Sequence, residues 1–297
     1  MASHFDAVGF AAREVEDVKE LLTLASERAQ ETVAHAHGRT LHCEDPAGAT
    51  LAIHVDGDGA FECCQPGFAG RSRFRWRPLY VVPDPNGCRF CDLVYAELLD
   101  EDEDELVYPF ALTIETMGAT RALIPYGEAG EVRFVGLWEE GQVWPDEAAF
   151  ELDQKAEWDD VALPEVPGHE LPATFGGFAS RSLIPSGIFA LDDGGEMSSH
   201  VIAHGIVASV EERRTELGNA LFRVVRLDTL GGVFDTCLAP GTLEQEELLA
   251  PGAVARATLW LVGRPLTLRG EPGPVPTAEP ERRGLLGRLL GRRRRDY

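Results

Sequence analysis

The chain has 297 residues, enough for two or three domains with a large hydrophobic core. Its formal net charge of -23, from 27 basic and 50 acidic residues, repels phosphate backbones and disfavours nonspecific nucleic-acid binding by its body. The sequence has neither a signal-peptide pattern nor an apolar run long enough for a membrane span. We therefore predict a cytoplasmic protein whose six cysteines are reduced thiols.

Residues 1–70 are predicted to form a unit of one strand, one helix and three further strands. The apolar run 5–10 is typical of a strand, and residues 14–32 carry the apolar spacing of an amphipathic helix. Strands at 39–43, 49–55 and 60–64 follow, and the turn Asp45-Pro-Ala-Gly48 joins the first two.

This order and its Asp45-Pro-Ala-Gly48 turn resemble one half of the vicinal-oxygen-chelate superfamily, which includes glyoxalases, extradiol dioxygenases and bleomycin-resistance proteins. The resemblance implies a metal-dependent enzyme or a small-ligand binder, with a cleft containing His4, His42 and His54. Ala52 stands where the family usually has a glutamate ligand, on the strand face shared by Thr50 and His54. Because that ligand is missing, we assign no metal ligands, predict no cofactor and expect a binding scaffold.

Residues 71–190 are predicted to be a β-rich region that packs against this first unit. It opens with an alternating pattern in which every second residue is arginine, and a strand would place these arginines on one face. That face is either an anion-binding stripe or an exposed surface paired with carboxylates of a neighbouring strand. The four arginines are Arg71, Arg73, Arg75 and Arg77.

A C-x-x-C pair in the same region raises the question of a zinc or redox site. The turn Asp84-Pro-Asn-Gly87 is predicted to lead into a strand at 88–95, which contains Cys88 and Cys91. An offset of three on a continuing strand puts the two sulfurs on opposite faces, and the adjacent pair Cys63-Cys64 has the same difficulty. A zinc site would need a local turn at Gly87-Cys88.

Residues 191–270 are predicted to contain three strands, a short helix and a closing strand at 257–263, after a proline-containing connector at 161–175. The pattern resembles a small OB-like barrel, a fold that often binds single-stranded nucleic acid. Acidic neighbours favour a barrel that binds no nucleic acid, so we do not expect this partner. The side chains that would contact nucleic acid are Phe222, Arg223, Arg226, Phe234 and Trp260.

The C-terminal region, 271–297, is predicted to be a proline-rich spacer at 271–280 followed by a basic, disordered tail. The tail has seven arginines against two acidic residues, and its leucines would share one side of a short helix that forms on a partner. The predicted docking residues are Arg282, Arg283, Leu285, Leu286, Arg288, Leu289, Leu290, Arg292, Arg293, Arg294 and Arg295.

Taken together, these patterns predict an α+β, predominantly β chain that acts as a non-catalytic cytoplasmic binding or adaptor protein. Its tail would dock a protein partner or the acidic run 100–105, with an anionic membrane surface and an inert, disordered end as alternatives. An enzyme of the vicinal-oxygen-chelate type remains the alternative function, because catalytic residues converge from distant positions. Nucleic-acid binding through the barrel is the third.

Overall fold

The computed structural model describes residues 4–12, 14–100, 105–158, 177–189 and 197–277. These residues form mostly strands, as predicted. The connector at 161–175 and the tail at 281–297 lie outside the described residues. The helices are α1 His4–Ala7, α2 Val15–Glu27, α3 Met117–Thr120, α4 Glu147–Trp158 and α5 Ser186–Phe189, with a 3₁₀ turn at Glu246–Leu248. The strands are β1 Glu31–His35, β2 Gly38–Glu44, β3 Ala49–Val55, β4 Phe61–Phe68, β5 Phe74–Val82, β6 Leu93–Leu99, β7 Leu106–Ile114, β8 Gly130–Trp144, β9 Ser182–Ile184, β10 His200–Arg214, β11 Leu221–Thr229, β12 Gly232–Leu238 and β13 Val254–Pro265.

The N-terminal unit is built from two helices and a four-stranded antiparallel sheet in the order β1-β2-β3-β4. The strand predicted at 5–10 is wrong, because this run forms α1 and a turn that reverses at Gly9, where φ is 77°. Its apolar side chains are buried against other elements without strand pairing. The predicted helix also ends earlier, at Glu27, and β1 takes its last residues.

The remaining strands form one nine-stranded sheet that closes on itself twice. Strands β10, β11, β12, β8 and β13 pair in sequence, and β13 pairs back with β10. Strands β5, β6, β7, β13 and β8 close a second ring in the same way. Each ring contains one parallel pair, β12 with β8 in the first and β7 with β13 in the second. The antiparallel pair of β8 and β13 thus belongs to both rings.

The apolar core divides between the ring interiors and the contact with the N-terminal unit. The interiors are filled by large side chains such as Trp76, Phe110 and Trp138, and Trp138 Nε1 donates to Thr236 Oγ1 at 2.7 Å. On the outer face, Leu51 and Ile53 of β3 and the helices α1 and α2 pack against β8, β11, β12 and β13. No helix in the described part of the chain is both long and apolar enough to cross a bilayer.

The segment that follows β13 is attached to the body. The amide of Gly273 donates to the Ala122 carbonyl at 2.8 Å, and the amide of Val81 donates to the Pro276 carbonyl at 2.9 Å. Val275 packs on the core of the rings. The predicted spacer at 271–280 is therefore held against β5 as far as Thr277.

Candidate metal-binding sites

The C-x-x-C pair lies in a loop between β5 and β6. A strand was predicted at 88–95, but β6 begins only at Leu93. The Asp84 carboxylate accepts from the backbone amides of Asn86 and Cys88, both at 3.1 Å, and so folds the chain back on itself. The amide of Cys91 then donates to the Cys88 carbonyl at 3.0 Å. The prediction that the two sulfurs face opposite sides is wrong, because this local turn brings them within 3.0 Å.

A third sulfur comes from the small sheet. Cys63 pairs with His54 across β3 and β4, so its side chain lies on the face of Thr50, Ala52 and His54. The ligand atoms of Cys63, Cys88 and Cys91 all lie within 4.8 Å of one another. Neighbouring Cys64 points to the other face and packs in the apolar layer.

Gln65 closes one side of this thiol cluster. Its side chain is 4% exposed, and its Nε2 donates to the Phe90 carbonyl inside the C-x-x-C turn at 3.1 Å. Its Oε1 has no hydrogen-bond partner among the described residues. The cluster is thus fixed to the small sheet through both Cys63 and Gln65.

The three thiols differ in the direction in which their pKa is shifted. Hydrogen bonds from Cys63 and then Cys88 stabilise the Cys91 thiolate and lower its pKa to about 6. The contact with Cys91 is also the main reason that the pKa of Cys63 is raised. Burial raises the pKa of Cys88, against which a backbone hydrogen bond from Phe90 acts. Of these three thiols, Cys91 is therefore the one that loses its proton most readily.

A second polar cluster surrounds Glu115, on the same face of the small sheet. Glu115 is 1% exposed, and its Oε2 lies 3.2 Å from Thr50 Oγ1 and 3.4 Å from His42 Nε2. His54 Nε2 lies 3.1 Å from the Glu115 carbonyl oxygen, and burial lowers the pKa of His54 to about 4. Of the histidines predicted to share a cleft, His42 and His54 meet here, whereas His4 lies elsewhere.

His4 belongs to a cluster with Glu139 and His200. Glu139 Oε1 lies 2.8 Å from His4 Nε2 and 3.0 Å from His200 Nε2. Burial would raise the pKa of Glu139, but hydrogen bonds from both histidines hold it below its usual value. Burial lowers the pKa of His4, although the hydrogen bond with Glu139 acts in the opposite direction. Since Glu139 is 135 positions from His4 and 61 from His200, no local motif marks this cluster.

The arginine stripe is less regular than predicted, because β5 begins only at Phe74. Phe74 and Trp76 are buried and alternate with half-buried Arg75 and Arg77, whereas Arg71 and Arg73 precede the strand. The Arg77 guanidinium lies 2.8 Å from Glu97 of β6, and that of Arg73 lies 3.8 Å from Glu131 of β8. These two arginines thus pair with carboxylates of adjacent strands.

The predicted nucleic-acid contacts are mostly engaged within the protein. Phe222 and Phe234 are at most 1% exposed, so neither can stack on a base. Arg223 is paired with Glu246, and Arg226 Nε lies 3.4 Å from Asp235. Trp260 lies against the ring of His4 at a centroid distance of 3.9 Å.

Comparison with known proteins places the chain in no group. No family model, curated protein or solved structure matches it.

Proposed function

We propose that this chain is a zinc-binding scaffold protein, in which Zn²⁺ bound by Cys63, Cys88 and Cys91 fastens the small sheet to the rings. The observation that carries the proposal is the approach of these three sulfurs within 4.8 Å of one another, from segments that are distant in the chain. Soft thiolates favour zinc over harder cations, and a fourth ligand would complete the tetrahedral coordination that zinc prefers.

The turn around Cys88 supports this assignment. Two ligands three residues apart, with the Phe90 amide donating to the first sulfur, suit a metal loop better than a strand. No further histidine, cysteine or carboxylate of the described residues joins these three sulfurs within 4.8 Å, so water is the candidate for a fourth ligand. The cation would also neutralise thiolates that otherwise repel one another.

The position of the site suggests its role. Cys63 lies in β4 of the small sheet, while Cys88 and Cys91 lie between two strands of the large sheet. Zinc bound by such residues joins two layers and adds its binding free energy to folding. This role is consistent with a non-catalytic binding protein.

The strand order of the two rings supports an OB-like interpretation. In each, three consecutive strands precede a short helical segment and a fourth strand. These helical segments are α3 in one ring and Glu246–Leu248 in the other. The fifth strand, parallel to the third, is borrowed from the other ring. We interpret the scaffold as two OB-like barrels that exchange strands and whose aromatic side chains serve packing.

Metal analysis of the native protein tests the zinc site. The full chain is expected to contain one tightly bound zinc, and Cys63→Ser, Cys88→Ser or Cys91→Ser should lose it on dialysis against a chelator. Cys64→Ser is the matched control, because its thiol faces the apolar layer. Co²⁺ in place of zinc should give thiolate charge-transfer absorption that the three variants lack and the control retains.

Two results would contradict the proposal. One is native protein without zinc that takes up neither Zn²⁺ nor Co²⁺ at these sulfurs. The other is a disulfide between Cys88 and Cys91 in protein kept under reducing conditions, which would indicate a redox pair.

A further inference from the structure

We propose that His4, Glu139 and His200 form a second, independent site for a first-row divalent cation, one with coordination positions open to solvent. This inference goes beyond the thiolate site, with which it shares no residue. A metal site with open coordination positions can hold a reactive water molecule.

The geometry of the donor atoms supports the site. The Nε2 atoms of His4 and His200 both lie within 3.0 Å of one carboxylate oxygen of Glu139. All three donor atoms are within 4.8 Å of one another, so a cation placed among them could contact each. Without a cation, the imidazoles of His4 and His200 share the same oxygen of Glu139 as their hydrogen-bond partner.

Surrounding residues fix the orientation of these ligands. His200 Nδ1 lies 2.8 Å from Ser198 Oγ, and a hydrogen bond from Nδ1 to this oxygen would leave Nε2 unprotonated for a metal. The ring of His4 is stacked on Trp260 with an interplanar angle of 18°. Glu139 is the extra residue of a β-bulge, since Thr258 pairs with Glu140 and Leu259 with Trp138. Bulges commonly redirect a side chain in this way.

The donor set indicates the kind of cation. Two imidazoles and one carboxylate suit Zn²⁺, Fe²⁺, Co²⁺ or Mn²⁺, whereas Ca²⁺ and Mg²⁺ prefer oxygen ligands. Three protein ligands leave at least one coordination position for water, as in catalytic rather than structural sites. The side chains of His4, Glu139 and His200 are 29%, 19% and 35% exposed, so solvent can reach the metal.

The test is a titration of Zn²⁺ into the full chain, followed by native mass spectrometry and calorimetry. The unaltered protein should bind one zinc more than the thiolate site accounts for, and Glu139→Gln or His200→Gln should bind one fewer. Glu140→Gln is the matched control, because it changes the neighbouring carboxylate and keeps the donor set. Ser198→Ala, which retains all three ligands, should lower the affinity for this second zinc about 10-fold.

The zinc of the thiolate site serves as an internal check on folding. A Glu139→Gln protein that keeps that zinc and loses the second supports the inference. Equal zinc binding by Glu139→Gln and Glu140→Gln would overturn it, and so would a native chain that takes up no zinc beyond the thiolate site. If Glu139→Gln does not fold, the Ser198→Ala variant decides. An affinity for the second zinc equal to that of the unaltered protein would contradict the site. The comparison of Glu139→Gln with Glu140→Gln does not depend on whether the three cysteines bind metal.

Discussion

His204 lies fully buried on β10, where Ser182 Oγ lies 2.8 Å from its Nδ1. The rings of Phe178 and Phe150 lie against its imidazole, at centroid distances of 5.2 and 5.6 Å. Burial, and then the nearby charge of Arg256, disfavour the imidazolium and lower the pKa of His204 to about 4. Between its ordinary value of 6.5 and this value, the unfolded chain binds a proton that the native protein does not.

We therefore expect the free energy of unfolding to fall as the pH drops below the unfolded pKa. The loss attributable to His204 should be about 2 kcal/mol between about pH 7 and about pH 5. His204→Gln, which cannot be protonated, should show a correspondingly flatter pH dependence in urea denaturation. His37→Gln, a change at an exposed histidine, is the control and should keep the original slope. Identical slopes in both variants would contradict this account.

Gly67 on β4 allows Glu115 to approach the small sheet. A Cβ atom at this position would overlap with Glu115 Oε1 and would lie 2.8 Å from Thr50 Oγ1. Because Glu115 is buried among His42, Thr50 and Gly67, its carboxylate has little room to move aside. The absence of a side chain at Gly67 thus lets the polar cluster form.

Gly67→Ala should lower the free energy of unfolding by about 1–3 kcal/mol, as expected for overpacking. Gly57→Ala is the control, because a Cβ atom there meets nothing within 4 Å. Chemical denaturation of the two variants measures the difference. Equal stabilities would mean that Glu115 relocates freely.

Strands were predictable where polar and apolar residues alternate locally. The strand expected at 49–55 is β3, Ala49–Val55, because the pattern of its two faces is contained in seven consecutive residues. The apolar run at 5–10 also has the composition of a strand, but it pairs with no neighbouring strand and forms α1 and a turn. The pairing of β8 with both β12 and β13 depends on residues about a hundred positions away, which leave no local trace.

The candidate sites were harder to predict, for two physical reasons. The Asp84 carboxylate accepts hydrogen bonds from nearby backbone amides, so the beginning of the strand predicted at 88–95 is instead a loop. This loop brings Cys88 and Cys91 together. The third sulfur, Cys63, and the pair His4 and Glu139 come from distant elements that only the fold brings together. The missed residues could be suspected from their chemistry but not grouped by their spacing.

A truncation that tests docking by the tail must keep residues 270–277, because this segment is bonded to the body. A chain ending at Thr277 keeps the bonds of Gly273 and Pro276 to the body, so its unfolding free energy should equal that of the full chain. A chain ending at Arg269 loses both bonds and should be less stable by about 1–3 kcal/mol. Urea denaturation of the three chains gives the comparison.

Partner capture should use the Thr277 truncation beside the full chain, because this pair differs in the tail without disturbing the body. Adaptor function through the tail predicts a partner retained by the full chain and lost by the truncation. Equal capture by the two would contradict tail docking, whatever the stability of the shorter chain.

The shared pair β8 and β13 has a consequence for synthesis of the protein on the ribosome. Strands β5 to β8 are complete once Trp144 has been added, but their ring cannot close until β13 ends at Pro265. At roughly 5–20 residues per second, synthesis of the chain from Trp144 to Pro265 takes about 6–24 s. During this time β7 and β8 each have an unpaired edge. Open edges readily pair with strands of other chains, so nascent chains would need protection by chaperones during this interval.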